Sequence, residues 1–283
     1  MERAIRKWWP LFILPTFAAF CVGFIWPFIQ GVYLSFCQFI TIDRATFVGF
    51  SNYIFAFKDQ TFGHAFWFTV AFAIVSTVSI NVLGFALAIA LTRKLKGTNI
   101  FRTIFFMPNL IGGIVLGYIW NILLNAILSK LSLPLLALNT TAGYWGLIIL
   151  MCWQQIGYMM IIYIAGLQNV PGDLIEAATL DGAKSMQTLF KVKIPMVMSA
   201  ITVCLFLTIT NSFKLFDQNL SLTSGEPAHA TEMLALNIYN TFYARSGPQW
   251  KGIGQSKAVI FFLIVVVIVL IQLKATRSKE VQQ

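Results

Sequence analysis

The sequence predicts an all-α membrane protein with six transmembrane helices. Composition is the first observation: 11% of the 283 residues are charged and 58% are hydrophobic, with 26 Phe and 8 Trp. An ordinary soluble domain carries roughly 25% charge, and a soluble chain of this make-up would expose apolar patches large enough to aggregate. Segregation is the second: the windows 11–36, 65–92, 103–129, 131–172, 194–213 and 258–273 hold no charge at all. A charge at the bilayer centre costs about 2.5–3.5 kcal/mol, so lipid imposes this pattern. The third is length, because most windows suit one span of about 20 residues. The same numbers exclude intrinsic disorder. Cys21, Cys37, Cys152 and Cys204 show no metal-ligand spacing and read as small apolar fillers rather than disulfides.

The first helix is expected over 11–36. It has a basic start, Arg3, Arg6 and Lys7, but its apolar run is too long for a signal peptide and no small-residue cleavage site follows, so it reads as an anchor. Helices two and three are expected over about 67–92 and 104–128. In the third, Gly113 and Gly117 make a small-xxx-small packing pattern. The fourth window is too long for one helix. It contains Pro134, then Asn139-Thr140-Thr141 and Gly143, so a loop is expected to about 143 and a helix over 144–167. The fifth span is expected over 195–215, with Pro195 tolerated in its first turn. The sixth is expected over 257–274, with Lys257 and Lys274 snorkelling outward from its ends.

Lys and Arg set the orientation. With both termini in the cytoplasm, thirteen basic residues fall inside: Arg3, Arg6, Lys7, Arg93, Lys94, Lys96, Arg102, Lys184, Lys191, Lys193, Lys274, Arg277 and Lys279. Seven fall outside: Arg44, Lys58, Lys130, Lys214, Arg245, Lys251 and Lys257. That bias is the positive-inside signal, and it accounts for the net charge of +10 without a nucleic-acid partner.

The hydrophilic segment over about 171–194 lies on the cytoplasmic side of this topology. Pro171 and Gly172 end the preceding helix. Asp173 stands as an N-cap with Glu176 three residues on, a capping-box-like spacing. Leu174 to Asp181 continues a short helix, Gly182 breaks it, and Ala183 to Val192 forms a second helix at an angle. Small alanines beside charges allow close approach of another surface. The segment therefore reads as a docking knob for a cytoplasmic partner, or as an interfacial helix joining two spans.

Glu176-Ala177-Ala178, then Asp181-Gly182, then Val192 and Ile194-Pro195, resemble the EAA loop of ABC-importer permeases. Ala165-Gly166-Leu167-Gln168-Asn169-Val170-Pro171 before it, Val48-Gly49-Phe50-Ser51-Asn52-Tyr53, Gly97-Thr98-Asn99-Ile100-Phe101-Arg102, Phe213-Lys214-Leu215-Phe216-Asp217 and Leu222-Thr223-Ser224-Gly225-Glu226-Pro227 resemble the carbohydrate-uptake branch, of the maltose, lactose, raffinose and glycerol-3-phosphate type. Glu226 departs from that pattern, which has a second Gly there. The resemblance implies a type I importer permease fold in a bacterial cytoplasmic membrane. It also implies a second, non-identical permease, two ATPase subunits that bind ATP and Mg and receive the elbows, and an extracytoplasmic sugar-binding protein. Glu176 would pair with a basic residue of the ATPase, Ala177 and Ala178 would permit close contact, and Gly182 would bend the elbow. No cofactor is implied for this chain itself.

The chain lacks the phosphate-binding pattern G-x-x-x-x-G-K-[ST]: Gly247-Pro248-Gln249-Trp250-Lys251-Gly252 is followed by Ile253. Energy must come from a partner. Sugars are held by amides, hydroxyls and aromatic faces, which are expensive in a span unless they line a cavity. Gln154 and Tyr158 share a face of the fourth helix, and Thr208, Asn211, Ser212 and Leu215 share a face of the fifth. The family resemblance puts the sugar site in these helices. Helix–helix hydrogen bonding is the other reading of the same residues. Lys214 and Asp217, three apart, are expected to pair locally or to contact the binding protein. His64 and His229 are expected outside without an acidic partner, which leaves no catalytic set around them.

A permease for a non-sugar solute fits the same elbow. An ion-driven secondary transporter would show inverted repeats and ionisable residues within its spans, and the six windows contain none. A membrane-embedded enzyme would need His, Glu or Asp clustered at membrane depth, which the windows also lack.

Overall fold

The computed structural model describes Trp9 and residues 13–93 and 97–278. Arg3, Arg6, Lys7, Lys94, Lys96 and Lys279, which enter the orientation argument, lie outside the described residues. Two compact units form: the described part of Met1–Gln60 with Ile238–Phe262, and Thr61–Asn237 with the described part of Leu263–Gln283.

The first unit opens with α1 (Ile13–Leu34), which carries a π-helical turn at Cys21–Ile25. Its Phe17, Phe20 and Phe24 are exposed, as a lipid-facing surface requires. Two short strands, β1 (Cys37–Gln38) and β2 (Thr46–Phe47), pair antiparallel with Cys37 opposite Phe47. Helix α2 (Ser51–Lys58) follows. Buried Asn52 is the clasp: its amide donates to the carbonyls of Ser35 and Cys37, each at 2.9 Å. Gly252 sits directly against the Cys37 carbonyl and Asn52, where a Cβ would overlap both.

Gly252 belongs to the last helix, Pro248–Arg277, which begins well before the expected 257. Pro248 opens it with φ pre-set for a first turn. The early start corrects the reading of Lys257. Far from snorkelling at a helix end, it is fully buried, 2.8 Å from the Asp59 carboxylate and donating to the Thr241 hydroxyl at 2.8 Å. A lysine two and a half turns inside a helix has no route to water and needs a counter-charge.

The second unit contains α3 (Gln60–Leu91), α4 (Thr98–Phe106), α5 (Gly113–Lys130), α6 (Thr140–Gln168), α7 (Gly172–Leu180), α8 (Ser185–Met196), α9 (Met198–Phe213) and α10 (Asp217–Leu222). Helix α6 is its centre: 61% of the most apolar stretch is buried, against 11% in α5. Leu147, Leu150, Met151, Met159, Met160 and Tyr163 of α6 meet Phe72 and Ile80 of α3 in the core. Among the described residues, five helices are long and apolar enough to cross a membrane, and six if the bent α8–α9 pair is one span.

Helix α3 also begins early, at Gln60 rather than 67, and three further boundaries differ from the sequence reading, each for a local reason. Helix α6 starts at Thr140 rather than 144, because Asn139 at the end of the expected loop is its cap: the side chain accepts from the backbone N–H groups of Thr141 and Ala142 at 2.9 and 3.2 Å. The third span is not one helix over 104–128. A 3-10 turn at Met107–Leu110 and an extended Gly112 separate α4 from α5. Pro108 cannot donate to the helix ladder, and the carbonyl of Ile111, left outside both helices by the extended Gly112, accepts from the Gln154 amide of α6 at 3.2 Å. The fifth span does not start at Pro195: α8 and α9 meet at Val197 with a 72° bend, so Ile194 and Pro195 stand before the membrane helix.

Candidate coupling elbow and polar pathway

The elbow is built from α7 and α8. The sequence expectation that Asp173 caps α7 does not hold, since Pro171 occupies the cap position with no side-chain cap and no box with Glu176 forms. Asp173 instead stands in the first turn, where its charge suits the helix dipole. The C-terminal end is fully specified. Gly182 has φ +74, its N–H donates to the Thr179 carbonyl at 3.1 Å, and the Ala183 N–H donates to Ala178 at 2.9 Å. This is a Schellman motif, with glycine at the left-handed position that other residues resist. Helix α8 then opens with the Lys184 N–H on the Gln187 side chain at 2.8 Å and runs through a π-helical turn at Leu189–Lys193.

Glu176, Ala177, Asp181 and Gly182 are exposed, and Ala178, Ile194 and Pro195 are half-buried. Beside them the elbow presents apolar side chains that a free surface would not favour: Leu180 is 89% exposed, Met186 64% and Phe190 60%. Charged and apolar groups thus share one face of the turn.

The polar residues of the spans divide into two groups. Thr208 and Ser212 are fully buried against α3. The Asn81 amide donates to the Thr208 hydroxyl at 2.9 Å, and the Ser76 and Ser212 hydroxyls are 2.9 Å apart. Tyr163 of α6 donates to the Asn81 carbonyl oxygen. These groups are satisfied helix to helix, the arrangement that the helix–helix reading of Thr208 and Ser212 expects. Periodicity could not separate the two roles, because both demand polar atoms on one helix face. Asn81 and Tyr163 were missed, although an Asn inside an apolar window is itself a signal for such a bond.

The second group gathers at the breaks. Gln154 is buried and bridges two of them: its amide reaches Ile111, and its oxygen accepts from the Gln218 amide of α10 at 2.7 Å. It thereby ties the α4–α5 break to the start of α10. Half-buried Asn211 donates to Gln155 at 3.4 Å. Tyr158, also half-buried, lies near Phe106 with ring centroids 6.4 Å apart. Gly157 packs directly on the backbone of Phe105 and Phe106. Gly113 and Gly117 do serve packing, since added Cβ atoms would strike Asp217 and Gln218, and Ser221. The cavity of about 350 Å³ lined by Val70, Ile74, Ile209, Phe213 and Ile268 offers a sugar almost no polar group.

Two charge readings change as well. Lys214 and Asp217 form no ion pair, because Lys214 ends α9 and Asp217 opens α10 with no shared helix face. His229 does have an acidic neighbour, as its Nδ1 lies 3.2 Å from the 2%-exposed carboxylate of Glu232. The surrounding loop is ordered by buried Asn219, which donates to Thr231 at 2.8 Å and accepts from the Met233 N–H at 2.9 Å.

Comparison with known proteins places this architecture. Residues 80–276 match the family described as binding-protein-dependent transport system inner membrane component. The probable starch degradation products transport system permease protein AmyD of Thermoanaerobacterium thermosulfurigenes is 44% identical, over 97% of this chain and 96% of that protein. The multiple sugar-binding transport system permease protein MsmF of Streptococcus mutans is 30% identical over 99% of both. Among solved structures, a bacterial ABC transporter involved in the import of the acidic polysaccharide alginate has a chain that superposes with a TM-score of 0.82 at 19% identity, covering 98% of each chain. A helical fold broken at mid-span, a family match through most of the second unit and near full-length relatives agree, and the chain belongs to the binding-protein-dependent transport system inner membrane component family, as a multi-pass membrane permease of an ABC importer.

Proposed function

We infer that this chain forms one half of the translocation pathway for a sugar or oligosaccharide, with both termini in the cytoplasm and a second, non-identical permease forming the other half. Two ABC ATPases, binding ATP and Mg, drive it, and an extracytoplasmic sugar-binding protein delivers substrate. The observation that carries the substrate class is the near full-length identity to AmyD, named for starch degradation products.

Coupling runs through the elbow. Glu176, Ala177, Ala178, Asp181 and Gly182 sit on or beside its exposed face, with Leu180 and Phe190 supplying apolar contact. Force on α8 passes through the Val197 bend into α9, and from Thr208 and Ser212 of α9 into α3 through their hydrogen bonds. Nucleotide and loaded binding protein then bias one two-state element from opposite ends, which is the requirement for coupling. Along the pathway, Gln154, Tyr158, Thr208, Asn211 and Ser212 are the substrate-contact candidates, with half-buried Tyr158 and Asn211 the more accessible and Asn211 held by Gln155.

Mild-detergent purification from the native membrane tests the assembly. A second six-helix permease and an ATPase carrying the phosphate-binding loop are expected to co-purify. Recovery of this chain alone, with transport intact, would refute the importer reading in favour of an ion-driven carrier. Glu176→Lys and Gly182→Pro should assemble but lose binding-protein stimulation of ATP hydrolysis, and full stimulation in both would remove the elbow from the mechanism.

A further inference from the structure

Two helix breaks meet at one depth. Gln154 is the middle residue of α6, with fourteen residues on either side, so at about 1.5 Å per residue it lies near the bilayer centre. Its hydrogen bonds to Ile111 and Gln218 bring the α4–α5 break and the start of α10 to that level. Irregular backbone at membrane depth persists where it is buried in protein or lines an aqueous cavity, and discontinuous helices meeting at mid-membrane form solute sites in other carriers.

Asp217 stands at this junction. Its carboxylate lies beside Gly113, about 3.1 Å from where a Cβ on that glycine would be, and next in sequence to Gln218. The residue is half-buried; its backbone carbonyl accepts from the Ser221 hydroxyl, while its carboxylate has no hydrogen-bond or ion-pair partner among the described residues. A side chain at that position would displace it, so Gly113 is what admits it. An ionised group at membrane depth is costly unless it faces water or solute. The amides of Gln155, Gln218 and Asn211 and the ring of Tyr158 stand on the neighbouring turns of α6, α9 and α10.

The geometry points to Asp217 as a specificity-determining residue that accepts hydrogen bonds from the hydroxyls of a neutral sugar and repels an anionic one. This rests on the sugar-importer reading above. An unpaired carboxylate is an acceptor only, so it matches a polyhydroxyl ligand, and a second carboxylate brought against it at this depth meets little screening.

The test uses the assembled importer in proteoliposomes with its binding protein, and has two arms. In a background in which Cys21, Cys37, Cys152 and Cys204 are replaced by Ala, Asp217→Cys should react with a charged, water-soluble maleimide at least about tenfold faster than Ile119→Cys on the exposed apolar face of α5. Equal or slower labelling places Asp217 against lipid or the second permease and overturns the proposal, whatever the substrate. In the uptake arm, wild type should carry maltotriose and exclude trigalacturonate. Asp217→Asn should raise KM for maltotriose about tenfold with Vmax little changed, and should admit trigalacturonate. An unchanged KM and unchanged exclusion would also overturn it. A wild type that carries neither sugar refutes the starch-product reading drawn from AmyD instead, and the labelling arm still decides the position of Asp217.

Discussion

Neutralising Asp59 should cost this protein more than deleting both partners of its ion pair. The Lys257 ammonium is fully buried and 2.8 Å from the Asp59 carboxylate, which is itself 10% exposed. At that distance and an effective dielectric of ~20, the attraction is about 6 kcal/mol. Desolvation costs each ion several kcal/mol, so the pair as a whole is close to break-even. Removing one partner forfeits the attraction and keeps the other's desolvation, a loss of about 3–5 kcal/mol. The Thr241 hydroxyl can satisfy one N–H of the stranded lysine but none of its charge. Arg245 stands 4.0 Å from Asp59 and is 38% exposed, so its share is small. Asp59→Asn should therefore lower the midpoint of thermal unfolding in detergent, followed by tryptophan fluorescence, by roughly 10 °C. Adding Lys257→Met to Asp59→Asn should recover at least half of that. A single variant that melts with wild type, or a double variant that melts below the single, would refute the assignment of this pair as a buried one whose charges depend on each other.

Three further outcomes follow from the same geometry. Gly157→Val places a side chain on the Phe105 carbonyl, and backbone cannot step aside as a side-chain tip does, so a loss of about 1–3 kcal/mol is expected; Gly63→Ala, with open space around its Cβ, is the matched control and should melt with wild type. Asn81→Leu strands the Tyr163 hydroxyl and removes a donor from Thr208; a cycle with Thr208→Val should show a coupling of about 0.6–1.7 kcal/mol, the range of hydrogen bonds between membrane helices. Asn139→Ala removes the α6 cap and should cost about 1 kcal/mol, read as a lower unfolding midpoint with the assembled subunits unchanged.

The class of fold was legible because lipid acts on composition, and composition needs no geometry. A window without charge must be helical and apolar to cross, and the described residues hold five such helices, or six with the bent α8–α9 pair as one span. What windows could not show was continuity. Residues 103–129 look uniform in hydropathy, yet Pro108 and Gly112–Gly113 divide them into α4 and α5, and hydropathy has no term for a missing N–H. Asn139 read as loop because its polarity was visible and its capping role was not. The Gly182 turn was legible for the opposite reason, since a glycine after an alanine-rich helix is a local signal with a local cause.

The site was less legible because position along a chain is not depth in a membrane. Lys214, Asp217 and Lys257 lie just beyond charge-free windows, and sequence reasoning put all three at the outer ends of straight spans. Lys257 is buried in the first unit because its helix starts at Pro248. Asp217 lies level with the centre of α6 because α9 ends at Phe213 and the adjacent Gln218 donates to Gln154, the middle residue of α6. The same displacement explains the exchange of roles among the polar residues. Thr208 and Ser212 sit where α9 is packed against α3 and are consumed in holding it, whereas Asn211, three residues from Thr208, faces Gln155 of α6. Periodicity places these residues on one stretch of α9, but the helix each one meets, α3 for Thr208 and α6 for Asn211, is set by packing that no residue spacing records.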